Sequence, residues 1–255
     1  MCKNNKFIAP SPINRNSDLF KELQRHLTVK VNPTFSLLVQ SSSFQVISHN
    51  VQSLKVHINQ IINDQVYLSS KVILLNETWT IPTDDLTIPG FKMISAVHCP
   101  NARKAMGSCC FIADSLYAQQ VFSKLFHHQS NNSSVSVSMV AINSTLFCSI
   151  YASPTTSTFL LLQTMDYIFQ QDYFDFVIAG DFNVNFQEES ATRTALYRLF
   201  DQHGMKSTLP TSITSSTKQG TLIDNIFSNI DTINSGRYIS FTSYHEPLWL
   251  QIQNI

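Results

Sequence analysis

The stretch Val177-Ile178-Ala179-Gly180-Asp181-Phe182-Asn183 decides the reading of this chain. Apolar residues run into a glycine, and an Asp and an Asn follow two positions apart. Alternate residues of a strand point to the same side, so Asp181 and Asn183 are expected to face one site together at the strand's end. A carboxylate beside an amide can hold and orient a water. Alone, the heptapeptide also fits a strand leading into an Asn-rich turn, so the other strand ends have to decide.

Working outward, Phe44 to Ser48 reads as a strand, and Leu54, Ile58, Ile61 and Ile62 recur at helical spacing before a second strand at Lys71 to Leu75. Strand, helix and strand at this distance imply a crossover unit with parallel pairing. The middle is strand-rich: Phe91 to Val97, Gly107 to Ala113, Val135 to Asn143 and Thr145 to Tyr151. A helix at Thr158 to Gln170, the strand Phe174 to Ala179 and a helix at Ala191 to His203 follow. Further strands are expected near Leu222 to Phe227, Tyr238 to Phe241 and Leu248 to Ile252. Many strands with a few interspersed helices point to stacked mixed sheets with helices outside. Residues 1–43, rich in Pro, Ser and Asn, read as a tail or linker with one short helix at Asp18 to His26. Residues 44–255 read as the folded domain.

Composition narrows the function classes. Seventeen basic residues balance seventeen acidic ones in 255 residues, which argues against a broad basic surface that binds nucleic acid without selectivity. A local cluster such as Arg103-Lys104 is still allowed. No apolar run approaches the roughly 18 residues of a spanning helix, and the N-terminus lacks the apolar region of a signal peptide. The five cysteines are odd in number and form no Cys-x-x-Cys. They read as reduced thiols in an intracellular protein, not as a disulfide framework or zinc site. The Asn-x-Ser/Thr matches at Asn76, Asn132 and Asn143 are then accidental.

Polar residues recur where strands end. Asn50 follows Phe44 to His49, Glu77 follows Leu74-Leu75-Asn76, and Tyr151 ends Leu146 to Ile150. Asp224 lies within Thr221-Leu222-Ile223-Asp224-Asn225-Ile226-Phe227, and His245 within Ser243-Tyr244-His245-Glu246-Pro247-Leu248. Open α/β sheets gather function at one set of strand ends, and this inventory suits metal-assisted phosphoester hydrolysis. Blander readings stand beside it. Glu77 alone could open a surface turn, and His49 or His245 could be hydrogen-bonded residues without chemistry. His127-His128 has no third ligand nearby in sequence and reads as loop, while Trp79 and Trp249 read as packing. Asp224, set among apolar residues, needs a partner to offset its desolvation.

The ordered set resembles the endonuclease/exonuclease/phosphatase superfamily, whose members are DNase I-like. It is most similar in flavour to the apurinic/apyrimidinic-like endonucleases of non-LTR (LINE-type) retrotransposons. The segments that carry the resemblance are Ser48-His49-Asn50-Val51-Gln52-Ser53-Leu54, Leu74-Leu75-Asn76-Glu77-Thr78-Trp79, Ile150-Tyr151-Ala152-Ser153-Pro154, Gly180-Asp181-Phe182-Asn183, Leu222-Ile223-Asp224-Asn225-Ile226 and Ser243-Tyr244-His245-Glu246-Pro247-Leu248. Each is weak alone; their order across residues 44–255 makes the signal. The resemblance implies a four-layer α/β-sandwich of two packed mixed β-sheets flanked by helices. It implies a Mg²⁺-dependent endonuclease, with Mn²⁺ as substitute, that nicks DNA. Glu77 would be the chief metal ligand, with Asn50 beside the metal and a phosphate oxygen. Tyr151 would hydrogen-bond the phosphate, Asp181 with Asn183 would activate water, His245 would contact the scissile phosphate, and Asp224 would hold the imidazole. Thr221 matches a hydroxyl position suited to a phosphate contact. The resemblance also implies a monomer acting in the nucleus without a membrane, and a reverse transcriptase or helicase region in a longer polyprotein.

One position departs from the pattern. The usual Ser-Asp-His reads Ser243-Tyr244-His245, and tyrosine cannot supply the missing negative charge. Weakened activity is the expectation. Two alternatives remain open at this stage: a decayed binding or interaction module, and a phosphodiesterase acting on RNA or on lipid or inositol phosphates.

Overall fold

The computed structural model describes residues 35–40, 43–99, 105–128 and 133–253. Strand β1 (Phe44–Asn50) runs parallel to β2 (Val72–Asn76), joined by helices α2 (Leu54–Ile61) and α3 (Gln65–Leu68). The crossover follows from the pattern: Leu54 and Ile61 are buried, Ile58 and Ile62 pack beside them, and Asp64 caps α3 by accepting from the Val66 amide. The register sets Asn50 opposite Asn76, so Asn50 and the residue before Glu77 end in step.

Around this pair the first sheet is completed by β3 (Phe91–Val97), β4 (Ser108–Ala113), β11 (Thr232–Arg237) and β12 (Leu248–Ile252), in the order β11-β12-β1-β2-β4-β3. The second sheet holds β5 (Gln119–His128), β6 (Ser133–Ile142), β7 (Thr145–Ala152), β8 (Asp175–Asp181), β9 (Lys206–Ser207) and β10 (Asp224–Ser228), in the order β5-β6-β7-β8-β10-β9. It too has a parallel pair at its centre, β7 and β8, joined by α4 (Thr158–Phe169). Helix α5 (Ala191–Gln202) follows β8.

Three apolar layers hold four structural layers together. Between the sheets, Val46, Val72, Leu74 and Leu250 meet Val140, Phe147, Val177 and Ile226. Outside the first sheet, Leu54, Ile61, Val66 and Tyr67 cover Ile47, Ile73 and Trp249. Outside the second, Leu160, Met165, Leu196 and Phe200 cover Ile150, Ile178 and Phe227, with Phe200 stacked on Phe227 at 4.0 Å between ring centroids. Strands sandwiched in this way are apolar on both faces, which is why β1, β2 and β7 are buried along their whole length. The expected four-layer α/β-sandwich is the fold observed.

Several local expectations change. Strand β5 was not expected, because a bulge between Gln120 and Phe122 breaks the two-residue period that would announce it. His127 and His128 lie in that strand opposite Ser134 and Ser133, not in a loop. The strand expected at Tyr238 to Phe241 lies earlier, at Thr232–Arg237, a polar edge strand with its own register shift at Asn234. There Gly236 leaves room for the Trp249 ring, which a Cβ would meet at 2.8 Å. The two-residue strand β9 was also unmarked. A helix α1 (Phe35–Gln40) places Leu38 in the layer outside the first sheet. The helix expected at Asp18 to His26 and the pair Arg103-Lys104 lie outside the described residues. Cys99, Cys109, Cys110 and Cys148 are buried. Among the described residues no helix is long and apolar enough to cross a membrane.

Candidate active site

The layer between the sheets is apolar at one end and polar at the other. At the polar end the two central parallel pairs converge. Asn76, the last residue of β2, reaches across and donates through Nδ2 to Ser149 Oγ and to Ile150 O, both at 2.8 Å, while Ser149 Oγ donates back to Leu75 O at 2.9 Å. Gly180 permits this approach. Its φ is +148°, and a Cβ there would sit 1.9 Å from Ile150 O and 2.8 Å from Asn76 Nδ2. Each residue of this bridge directly precedes a candidate: Glu77 after Asn76, Tyr151 after Ile150, Asp181 after Gly180. Strand register adds Asp224, opposite Asp181 on one side as Tyr151 is on the other.

Glu77 stands in a loop clamped at both ends. Its carbonyl accepts from Ser53 N at 2.8 Å, that of Thr78 accepts from Leu54 N at 2.9 Å, and Trp79 N donates to Met106 O at 3.0 Å. The open N-terminus of α2 thus finds its partners in the Glu77 loop, since Ser53 makes no side-chain cap. Asn50 Nδ2 donates to Glu77 Oε1 at 3.1 Å and to Asp181 Oδ2 at 2.9 Å, and Asn50 Oδ1 accepts from Gln52 N at 3.2 Å. These partners fix which way the amide points: its nitrogen faces the two carboxylates.

Asp181 and Asn183 do come together, by a different device from strand alternation. The chain leaves the strand at Phe182, and Asn183 adopts φ +49°, a left-handed conformation that Asn tolerates better than most residues. Its backbone N–H donates to Asp181 Oδ1 at 2.8 Å, and its side chain turns away to Ala152 O at 2.7 Å. Asp181 is fully buried. Burial, with the charge of Asp224 next, holds its carboxyl well above the usual carboxylate range against the pull of His245.

His245 Nδ1 lies 2.7 Å from Asp224 Oδ2, and its Nε2 faces Asp181 Oδ2 at 3.9 Å. Burial disfavours its protonated form, but the charge of Asp224, the hydrogen bond to it, and the charges of Asp181 and Glu77 outweigh that and raise its pKa to about 9. Tyr151 is buried beside Glu77. Burial first, then the charges of Glu77 and Asp181, push its phenol far up, so the hydroxyl keeps its proton. Thr221 is not in the cluster: its Oγ1 pairs with Thr217 Oγ1 at 2.7 Å and shapes the loop before β10. Tyr244 stands at the rim, its N–H donating to Gln52 Oε1 at 3.1 Å and its ring edge-on to His245 at 5.3 Å.

Two contributors, Ser216 and Trp79, escaped the sequence reading, while His49 has the hydrogen-bonding role that reading allowed it. Ser216 Oγ donates to Asp224 Oδ2 at 2.7 Å and accepts from Asp224 N at 3.1 Å. Nothing in the run Ser212-Ile213-Thr214-Ser215-Ser216-Thr217 marks it out. His49 is buried with Tyr67 OH at 2.7 Å from Nδ1 and the His245 carbonyl at 3.0 Å from Nε2. It therefore serves as a brace between β1 and the loop carrying His245. Trp79 is not core packing: it is 37% exposed, and its Nε1 donates to Glu77 Oε2 at 3.2 Å.

Ligand atoms of Glu77, Asp181 and His245 all lie within 4.8 Å of one another. Three buried carboxylates, Glu77, Asp181 and Asp224, surround one imidazole. Buried negative charge in excess needs a counter-charge, and oxygen donors of this kind suit a hard divalent cation. The residues present therefore fit such an ion.

Residues 145–249 match the model of a family described as endonuclease-reverse transcriptase. No curated protein matches the sequence. Among solved structures, the endonuclease domain of TRAS1, a telomere-specific non-LTR retrotransposon, superposes with a TM-score of 0.63 at 13% identity, covering 83% of this chain and 98% of that one. An AP endonuclease from Archaeoglobus fulgidus gives 0.60 at 11% identity, covering 83% and 100%. A family protein from Leptotrichia buccalis gives 0.56 at 15% identity, covering 83% and 100%. The chain thus shares the fold of these structures, and through residues 145–249 it matches the endonuclease-reverse transcriptase family model.

Proposed function

We propose that this chain is a metal-dependent DNA endonuclease that nicks its target by phosphodiester hydrolysis, in the manner of a retrotransposon endonuclease. The observation that carries the reading is the buried cluster of Glu77, Asp181 and His245 within 4.8 Å, set where two sheets meet at their strand ends. Glu77 would hold Mg²⁺ or Mn²⁺ with Asn50 beside it. When bound, the cation supplies positive charge to the phosphate and to the leaving oxygen.

The chain's own residues do the rest. Asn183 N–H and Asn50 Nδ2 orient the Asp181 carboxylate through Oδ1 and Oδ2, and a remaining lone pair would take the proton from a water as the water oxygen bonds to phosphorus. Tyr151 keeps its hydroxyl hydrogen and can donate it to a phosphate oxygen. His245, protonated and oriented by Asp224, offers Nε2–H to the charge that grows as the P–O bond breaks. Thr221, at the edge of the loop that carries Ser216, would contact a flanking phosphate. On the retrotransposon reading the protein would act in the nucleus, as a monomer. The family description adds a reverse transcriptase context, with a helicase region as the other candidate neighbour in a longer polyprotein.

A second reading, a binding module that no longer cleaves, is favoured only by Tyr244 at the rim in place of a carboxylate. Incubating supercoiled plasmid with wild type, Glu77→Ala and Asp181→Ala across Mg²⁺ and Mn²⁺ tests both. Conversion to open circles by wild type alone supports the endonuclease. Retained binding with no conversion by any of the three supports the module.

A further inference from the structure

Trp79 holds a place that packing does not explain. Its indole is 37% exposed and belongs to none of the buried apolar clusters. Its bond to Glu77 is only part-buried, so burial alone does not force it. The backbone, in turn, spends conformational energy to make that bond. Both Glu77, with φ +46°, and Trp79, with φ +52°, sit in the left-handed region, which costs a non-glycine residue about 1 kcal/mol or more. Gly107 clears the space for Thr78, the residue between them: a Cβ there would meet Thr78 Oγ1 at 2.6 Å and Val97 O at 2.9 Å.

The carboxylate benefits. Oε1 of Glu77 is held by Asn50 Nδ2 at 3.1 Å and Oε2 by Trp79 Nε1 at 3.2 Å. Donors on both oxygens set the plane of the carboxylate, with Tyr151 a further hydrogen-bond partner of Glu77. Loss of the indole N–H would take the Trp79 donor from Oε2 and loosen rotation about the last torsion, which is broad for Glu. We infer that Trp79 is a positioning residue: its indole N–H fixes the carboxylate plane of Glu77 and thereby sets the affinity of the site for a divalent cation. The inference rests on the metal-dependent reading of the site, and deepens it.

The experiment separates the N–H from the ring. Mn²⁺ binding to the full chain is measured by electron paramagnetic resonance for wild type, Trp79→Phe and Trp79→Phe in a Glu77→Gln background. Partners that orient a metal ligand are worth about 10–100-fold in affinity. Trp79→Phe, which keeps a ring and loses the donor, should weaken Mn²⁺ binding by about tenfold. The Mg²⁺ needed for half-maximal nicking should rise by the same factor, with the rate at saturating Mg²⁺ largely restored. The metal-free melting temperature should stay unchanged. In the Glu77→Gln background the change at Trp79 should have no further effect on binding. Wild-type affinity in Trp79→Phe overturns the inference, as does a loss of affinity matched by a loss of metal-free stability. Wild type that binds no Mn²⁺ overturns it together with the metal-dependent function. Mn²⁺ binding that depends on Trp79, without DNA nicking under any condition, leaves the inference standing and defeats the endonuclease reading alone.

Discussion

Ser216 and His245 hold opposite sides of a single oxygen: Asp224 Oδ2 accepts from Ser216 Oγ at 2.7 Å and lies 2.7 Å from His245 Nδ1. The carboxylate is thereby immobilised, and through it the imidazole. Asp224→Asn should lower nicking by about 10²–10⁴-fold, the range for loss of an organised acid–base group. Ser216→Ala should cost roughly tenfold. The stability consequence has a definite sign. His245 is raised from 6.5 to about 9, so the pair's contribution is whole below 6.5 and lost as pH rises through about 9. Chemical denaturation of metal-free protein at pH 6 and pH 9.5 should show that loss in wild type and a smaller one in Asp224→Asn.

Tyr244 packs edge-on to His245 and brings no charge to the rim. Tyr244→Asp should lower the Mg²⁺ needed for half-maximal nicking by about tenfold and raise the nicking rate. A plasmid assay across a Mg²⁺ series checks this; identical curves would show that the position does not limit the site.

Buried His49 and half-buried Asp64 pull stability in opposite directions over one pH window. His49, stripped of water, is lowered to about 3. Its unfolded form binds a proton that the folded form refuses, so stability falls as pH drops from 6.5 towards 3. Asp64, raised by burial to about 6 against the bonds from Val66 N and Tyr238, behaves oppositely: its folded form keeps a proton that the unfolded form loses, so stability falls as pH rises from 3.8 through 6. Each slope is worth up to about 1.4 kcal/mol per pH unit. Asp64→Asn should therefore make the protein more sensitive to acid between pH 6 and 4, and His49→Gln less so. Denaturation midpoints across that range decide it.

Gly180→Ala would place a methyl group 1.9 Å from Ile150 O. It should cost more than about 3 kcal/mol, combining overpacking with a φ that L-residues avoid. Gly204→Ala, at φ +67° with nothing within 4 Å, should cost only about 1 kcal/mol. Urea denaturation of the two variants compares them directly.

Much of this architecture is legible in the amino-acid order because the residues of interest stand where long apolar runs stop. Asn50, Asp181 and Asp224 end or begin a strand, Tyr151 lies one residue from the end of β7 and Glu77 one residue beyond β2, and strand ends are where a sheet can present a polar group. Asn183 is legible by its spacing, although a left-handed turn and not strand alternation brings it to Asp181. What escapes depends on contacts far apart in sequence. Ser216 is one hydroxyl among several until the fold brings it to Asp224. Trp79 looks like core until its neighbours prove to be Glu77 and solvent. Strand β5 hides because its bulge spoils the period by which strands are recognised, and β11 because its residues are polar and one is a glycine.

The last strand carries a consequence for how the molecule comes into being. β12 is an interior strand, hydrogen-bonded to β1 on one side and β11 on the other, and His245 is carried by the segment that leads into it. During vectorial synthesis β1 leaves the ribosome some two hundred residues before the neighbour it must pair with. Closing so long a loop is slow. The acidic residues are thus all made before the imidazole that they surround, and the cluster can assemble only after the end of the domain has emerged.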